Sequence, residues 1–220
     1  MPRRHGLRTR LFAAVVRSKQ GQTTVRVVAL DRLLFTQTLT AELREAWRFL
    51  QAAHTGARFY SFGFYTAALA EYLMVTASTE EGLSQVTAEY VQRGGGDPAL
   101  RRASLRWSPC DSPLHLEGEG LLPRSTLLRE AGPDPYEDSP EADETVSLVY
   151  EAAVEGLAAL DREGEFGSGE ARAQIVVGIW CGDQSNEERV EFARTLNPPA
   201  VVDRFARVLE EGETAFSALS

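Results

Sequence analysis

The stretch Ala173–Cys181 (AQIVVGIWC) is a nearly continuous apolar run rich in β-branched residues. It is bounded by Gly164, Gly167 and Gly169 on one side and by Gly182-Asp183 on the other. Nine residues fall far short of the roughly 20 a membrane-spanning helix needs. Such a run suits a central strand covered on both faces, so the rest of the chain has to supply that cover.

The other segments supply it in mixed order. Leu39, Leu43, Ala46, Trp47, Leu50 and Ala53 recur at steps of three and four, which predicts a helix from Asp31 to His54, ended by Gly56. Arg58–Tyr65 (RFYSFGFY) alternates, placing Tyr60, Phe62 and Phe64 on one face and Ser61 and Gly63 on the other. Leu69–Thr76 reads as its hairpin partner, and the small face leaves room for close packing. Ser78 and Glu81 have the spacing of a capping box opening a helix. Ala103–Ser108 (ASLRWS) reads as another strand, and Thr23–Leu30 as a further one. Helices are expected over Ala142–Arg162, near Glu187–Arg194, and from Asn197-Pro198, with Asn197 as its cap. Strands and helices mix without strict βαβ alternation. The predicted fold class is therefore α+β: a mainly antiparallel sheet of about four to five strands with helices packed on it.

Charge divides the 220 residues unevenly. Residues 1–60 sum to +8 and residues 61–220 to −17, giving −9 overall. Residues 1–30 read as a basic leader, either poorly ordered or an extra strand. Residues 31–220 read as one α+β domain with an acidic loop at 132–144, which holds six acids and no base. An acidic body argues against sequence-independent nucleic-acid binding. The apolar run Leu11–Val16 is too short for a signal peptide, and no stretch suits a membrane span. Two cysteines without a C-x-x-C motif suit reduced thiols in the cytoplasm.

Four fragments occur in a recognisable order: Tyr60-Ser-Phe-Gly-Phe-Tyr-Thr, Thr76-Ala-Ser-Thr-Glu-Glu-Gly-Leu, Leu105-Arg-Trp-Ser-Pro and Leu196-Asn-Pro. Over residues 31–212 the chain resembles a bacterial family described as domain of unknown function 4303. The resemblance implies a cytoplasmic α+β domain and supplies no activity.

Three groups of residues carry potential chemistry. Cys110, Asp111 and His115 contain a thiol, a carboxylate and an imidazole, the types a nucleophilic site uses. The same types suit a loop with a solvent-facing His115 and a half-buried Cys110. Asp183, Asn186 and Glu187, in the 181–187 loop, could hold a cation but lack calcium-loop spacing, and Asp183 or Ser185 could instead cap a helix. Arg106 and Trp107 are placed on opposite strand faces by alternation. Trp107 belongs in the core, while Arg106 either pairs with Asp111 or Glu117 or anchors an anion or partner. Both Trp107 and Trp180 are expected in one core, with the Trp180 ring lying along the sheet over Gly178. His5, His54 and His115 are too dispersed for a zinc set, so no metal or cofactor is implied. The leading expectation is a non-enzymatic domain that binds another protein, in an immunity-like or regulatory role. The alternative is a hydrolase- or transferase-type enzyme with its site around Cys110, Asp111, His115 and the 181–187 loop.

Overall fold

The computed structural model describes residues 29–182 and 184–219, and the backbone of residues 16–17 and 23–24. β1 (Val16–Arg17) and β2 (Thr23–Thr24) pair antiparallel with each other. The rest of the basic leader up to residue 28 lies outside the described residues, and so does most of the strand expected over Thr23–Leu30.

α1 (Arg32–Ala53) starts where Asp31 accepts the Leu34 N–H at 3.0 Å. It buries Leu39, Leu43, Ala46, Trp47 and Leu50 of the predicted stripe and adds Phe35, whereas Ala53, at the helix end, is exposed. β3 (Phe59–Thr66) and β4 (Met74–Thr79) form the expected antiparallel hairpin, although β4 begins five residues later than Leu69. β5 (Val176–Cys181) pairs parallel with β3, and the order is β4–β3–β5. The main sheet is thus three-stranded and mixed, which corrects the expectation of about four to five mainly antiparallel strands. The corresponding physical error lies at Ala103–Ser108. Asp97 caps the N–H groups of Ala99 and Leu100, Pro98 occupies the first turn, and α3 (Pro98–Leu105) takes the first half of that segment as helix, with a turn at 106–107 in place of the rest of the strand.

β5 is buried along its whole length, as its apolar run demands, yet it lies at the edge of the sheet rather than in the centre. Asn197 covers that edge. Its side-chain oxygen accepts the Val177 N–H at 2.9 Å, and its side-chain nitrogen donates to the Val177 carbonyl at 2.6 Å. The amide stands in for a neighbouring strand. Asn197 is therefore not the cap of the last helix, α9 (Pro199–Leu219). It instead follows α8 (Asn186–Leu196), which Ser185 and Glu188 open with a capping box.

Helices cover both faces. On one, Phe62, Phe64, Val75, Ala77, Val177 and Ile179 meet α1 and α6 (Pro140–Arg162). On the other, Tyr60, Tyr65, Val176 and Trp180 meet Trp107 and Phe205, with α3 packed on α9 behind them. A register shift between Phe59 and Ser61 moves Tyr60 off the Phe62–Phe64 face, which corrects the alternation expected for it. α2 (Glu80–Gly94) is capped by Thr79 rather than Ser78. Glu81 turns outward, accepting the Arg58 N–H and guanidinium, each at 2.9 Å. α6 starts at Pro140, so the last residues of the expected acidic loop are helical. No described helix is long and apolar enough to cross a membrane.

Candidate functional site

Residues 106–111 cross one face of the sheet from end to end. The Tyr60 hydroxyl, near the start of β3, donates to the Arg106 carbonyl at 2.7 Å. The Tyr65 hydroxyl, near its end, lies 3.2 Å from Cys110 Sγ. The two groups of candidate residues therefore occupy opposite ends of the same face.

At the start of β3, the Arg106 guanidinium lies over the Tyr60 ring, 4.3 Å from its centroid. It pairs with Glu80 at 2.5 Å, and Arg102 pairs with the same carboxylate. Asp111 and Glu117, the partners expected for Arg106, are engaged elsewhere. Burial pushes the Glu80 carboxyl up, but the hydrogen bond from Arg106 and the charges of Arg106, Arg102 and Arg58 outweigh it, and the net direction is down. Arg204, from α9, faces the same cleft and donates to the Gln174 carbonyl at 3.2 Å. Burial, then the neighbouring Arg106 and Arg207 charges, pull its guanidinium below the usual arginine value. The cleft encloses about 500 Å³.

Trp107 forms the inner wall of this cleft. Only 9% exposed, it packs against Trp180 at 6.5 Å and Phe205 at 4.7 Å between ring centroids. The expected shared core for the two indoles is present, although Trp107 follows a helix rather than sitting in a strand. Alternation does not separate Arg106 from Trp107, since the guanidinium lies 5.7 Å from the indole.

At the end of β3, Cys110, Asp111 and His115 gather without forming a relay. Cys110 is exposed and His115 is buried, the reverse of the loop reading. His115 Nδ1 contacts the Thr76 hydroxyl at 3.2 Å, and its ring packs edge-on against Tyr65 at 4.6 Å. Burial lowers the imidazole pKa, which favours the neutral form. Asp111 accepts from the Tyr90 hydroxyl at 2.6 Å and the Ser108 hydroxyl at 2.5 Å. Among the described residues, no hydrogen bond joins Cys110 to His115 or His115 to Asp111. Burial also raises the Tyr65 hydroxyl pKa, as does its contact with the Cys110 thiol. Arg189 of α8 donates to the Trp107 carbonyl at 3.3 Å, and burial lowers its pKa.

Asp183 lies outside the described residues. Asn186 opens α8, and the Gln184 side chain accepts the Cys181 N–H at 3.3 Å. Among the described residues, no group of three or more His, Cys, Asp or Glu is placed to hold a metal ion.

A family model described as Domain of unknown function (DUF4303) matches residues 39–198. The chain belongs to the DUF4303 family. No curated protein and no solved structure matches it significantly. Within the DUF4303 stretch lie Arg58, Tyr60, Glu80, Arg106 and Trp107, whereas Arg204 and Phe205 lie beyond its end. Arg204 and Glu80 were not legible as site residues. Arg204 borders the apolar stripe of its helix, and no local pattern separates it from an ordinary solvated arginine. Tyr65 carried only a strand signal, which says nothing of the thiol it meets.

Proposed function

We propose that this DUF4303 chain is a non-enzymatic module that binds another protein through an acidic ridge built from the β3–β4 turn and the loop at 132–144. One observation carries the reading: the ridge is bolted together from beneath. Arg129, 4% exposed, donates to the Ala70 carbonyl at 3.0 Å and to the Pro133 carbonyl at 2.9 Å, so one guanidinium joins the two segments. Above it, the Tyr136 hydroxyl donates to Glu71 at 2.9 Å. Ala70 holds a left-handed φ of 53°, a strained conformation for alanine that surrounding structure must maintain.

The ridge so fixed exposes Leu69, Tyr72 and Tyr136 beside the carboxylates of 132–144. Tyrosine supplies contact area at low entropic cost and is enriched at interfaces. The acids steer a basic partner. Preorganisation reduces what ordering costs on association. The separate engagements of Asp111 and His115 favour this reading over a hydrolase or transferase at Cys110. Free thiols at Cys110 and Cys181 suit work in the cytoplasm.

The test compares capture of proteins from source-cell extract by the wild-type chain, by Tyr72→Ala/Tyr136→Ala, and by Leu116→Ala at an exposed position outside the ridge segments. A protein held by the first and third, lost by the second and released by salt supports the ridge. Equal capture by all three overturns it.

A further inference from the structure

We propose that the cleft between the start of β3 and α9 is a binding site for a small organic oxyanion, a carboxylate or phosphate on a flat apolar body, held by Arg204 and Arg106. The proposal is independent of the partner-binding ridge, which is built from different elements.

The charges in the cleft do not balance. Arg58, Arg106 and Arg204 line it against the single carboxylate of Glu80. That carboxylate is already engaged by both Arg106 and Arg102, and Arg58 at the rim is paired with Glu81. Arg204 is left with a carbonyl as its partner; among the described residues, no carboxylate pairs with it. A partly buried guanidinium beside like charges is unfavourable unless an anion compensates it. This excess of positive charge is local, in a chain whose net charge is −9.

The walls indicate what carries the anion. Phe59, Tyr60 and Trp107 contribute aromatic surface, and the volume of about 500 Å³ suits a small molecule. Stacking on Tyr60 and the Glu80 pair restrict the Arg106 guanidinium, so little entropy is lost when it receives an oxyanion. Planar, multidentate donors recognise carboxylate and phosphate better than a point charge does.

The experiment uses the full chain and four probes: phenyl phosphate, benzoate, inorganic phosphate and neutral phenol. Binding is read by tryptophan fluorescence and by the shift in melting temperature. The expected result is saturable binding of phenyl phosphate, benzoate or both, stronger than inorganic phosphate, with no response to phenol. Arg204→Gln should weaken binding by about tenfold, the scale of one charge-assisted hydrogen bond. Arg204→Lys should fall between, and Arg194→Gln, on α8, should bind as the wild type does. Melting curves without probe show whether Arg204→Gln is folded; if it is not, Arg204→Lys carries the comparison. Equal responses to phenol and the anions, no response to either aromatic anion, or undiminished affinity in a folded Arg204 variant would each overturn the proposal.

Discussion

The indole of Trp180 lies against Gly63 on the neighbouring strand, so that a Cβ built on Gly63 would stand 2.7 Å from Trp180 Nε1. The same Cβ would stand 2.1 Å from the Gly178 carbonyl oxygen, and one on Gly178 would stand 2.8 Å from the ring. Gly63 and Gly178 are register partners, so two missing side chains form the bed on which one large ring lies. Close approach, not backbone conformation, requires glycine here.

Gly63→Ala should therefore destabilise the fold, because a backbone oxygen cannot rotate away as a flexible side chain can. A loss of about 1–3 kcal/mol is expected, the range for overpacking a filled core. Trp180→Ala should lose about 3–5 kcal/mol, as other large core truncations do. Denaturant unfolding measures both. Wild-type stability in Gly63→Ala would show that the sheet yields at little cost.

Asn197 predicts a different kind of loss. Asn197→Ala leaves the Val177 N–H and carbonyl without their side-chain partner and removes a contact to the buried Arg172. The expected destabilisation is about 1–3 kcal/mol, the cost of leaving buried polar groups unsatisfied. Hydrogen exchange at the Val177 amide should accelerate more than at amides of β4. Unchanged protection there would mean that something else covers the edge.

Acid should weaken the fold in two steps. The pKa of His115 is lowered by burial below its ordinary 6.5, so the unfolded chain takes the proton first, and stability falls as pH drops below 6.5. Glu80 is held below 4.5, and Glu81 is lowered to about 2, chiefly by the Arg58 N–H and guanidinium. Their contributions are present above 4.5 and fade as pH falls through the lowered folded values. Exposure of Glu81 to solvent screens its share. His115→Gln should flatten the upper step and Glu80→Gln the lower one in unfolding curves taken across pH. An upper step that survives His115→Gln would assign it to another group.

Cys110 offers a direct check on the non-enzymatic reading. With no hydrogen bond from His115, it should react with a thiol probe no faster than a model thiol of pKa about 8.5. Labelling that is strongly accelerated in the wild type and slowed by His115→Ala would establish a nucleophile and base pair.

Local sequence determined the elements whose signals are local. The apolar stripe of α1, the hairpin of β3 and β4, the buried run of β5 and the Gly178–Trp180 packing all follow from periodicity and side-chain volume, which act over a few residues. Ala103–Ser108 shows where that stops: six alternating residues fit a strand or a helix turn, and the capping by Asp97 with Pro98 decides for the helix. Long-range partners were decided by tertiary structure alone. Arg106 meets Glu80, Arg204 enters the cleft from a helix nearly 100 residues away in sequence, and Asn197 completes a strand edge instead of capping a helix. Side chains of one type satisfy many partners equally well, so the pairing energy becomes specific only when the fold brings one partner within reach and removes water from both.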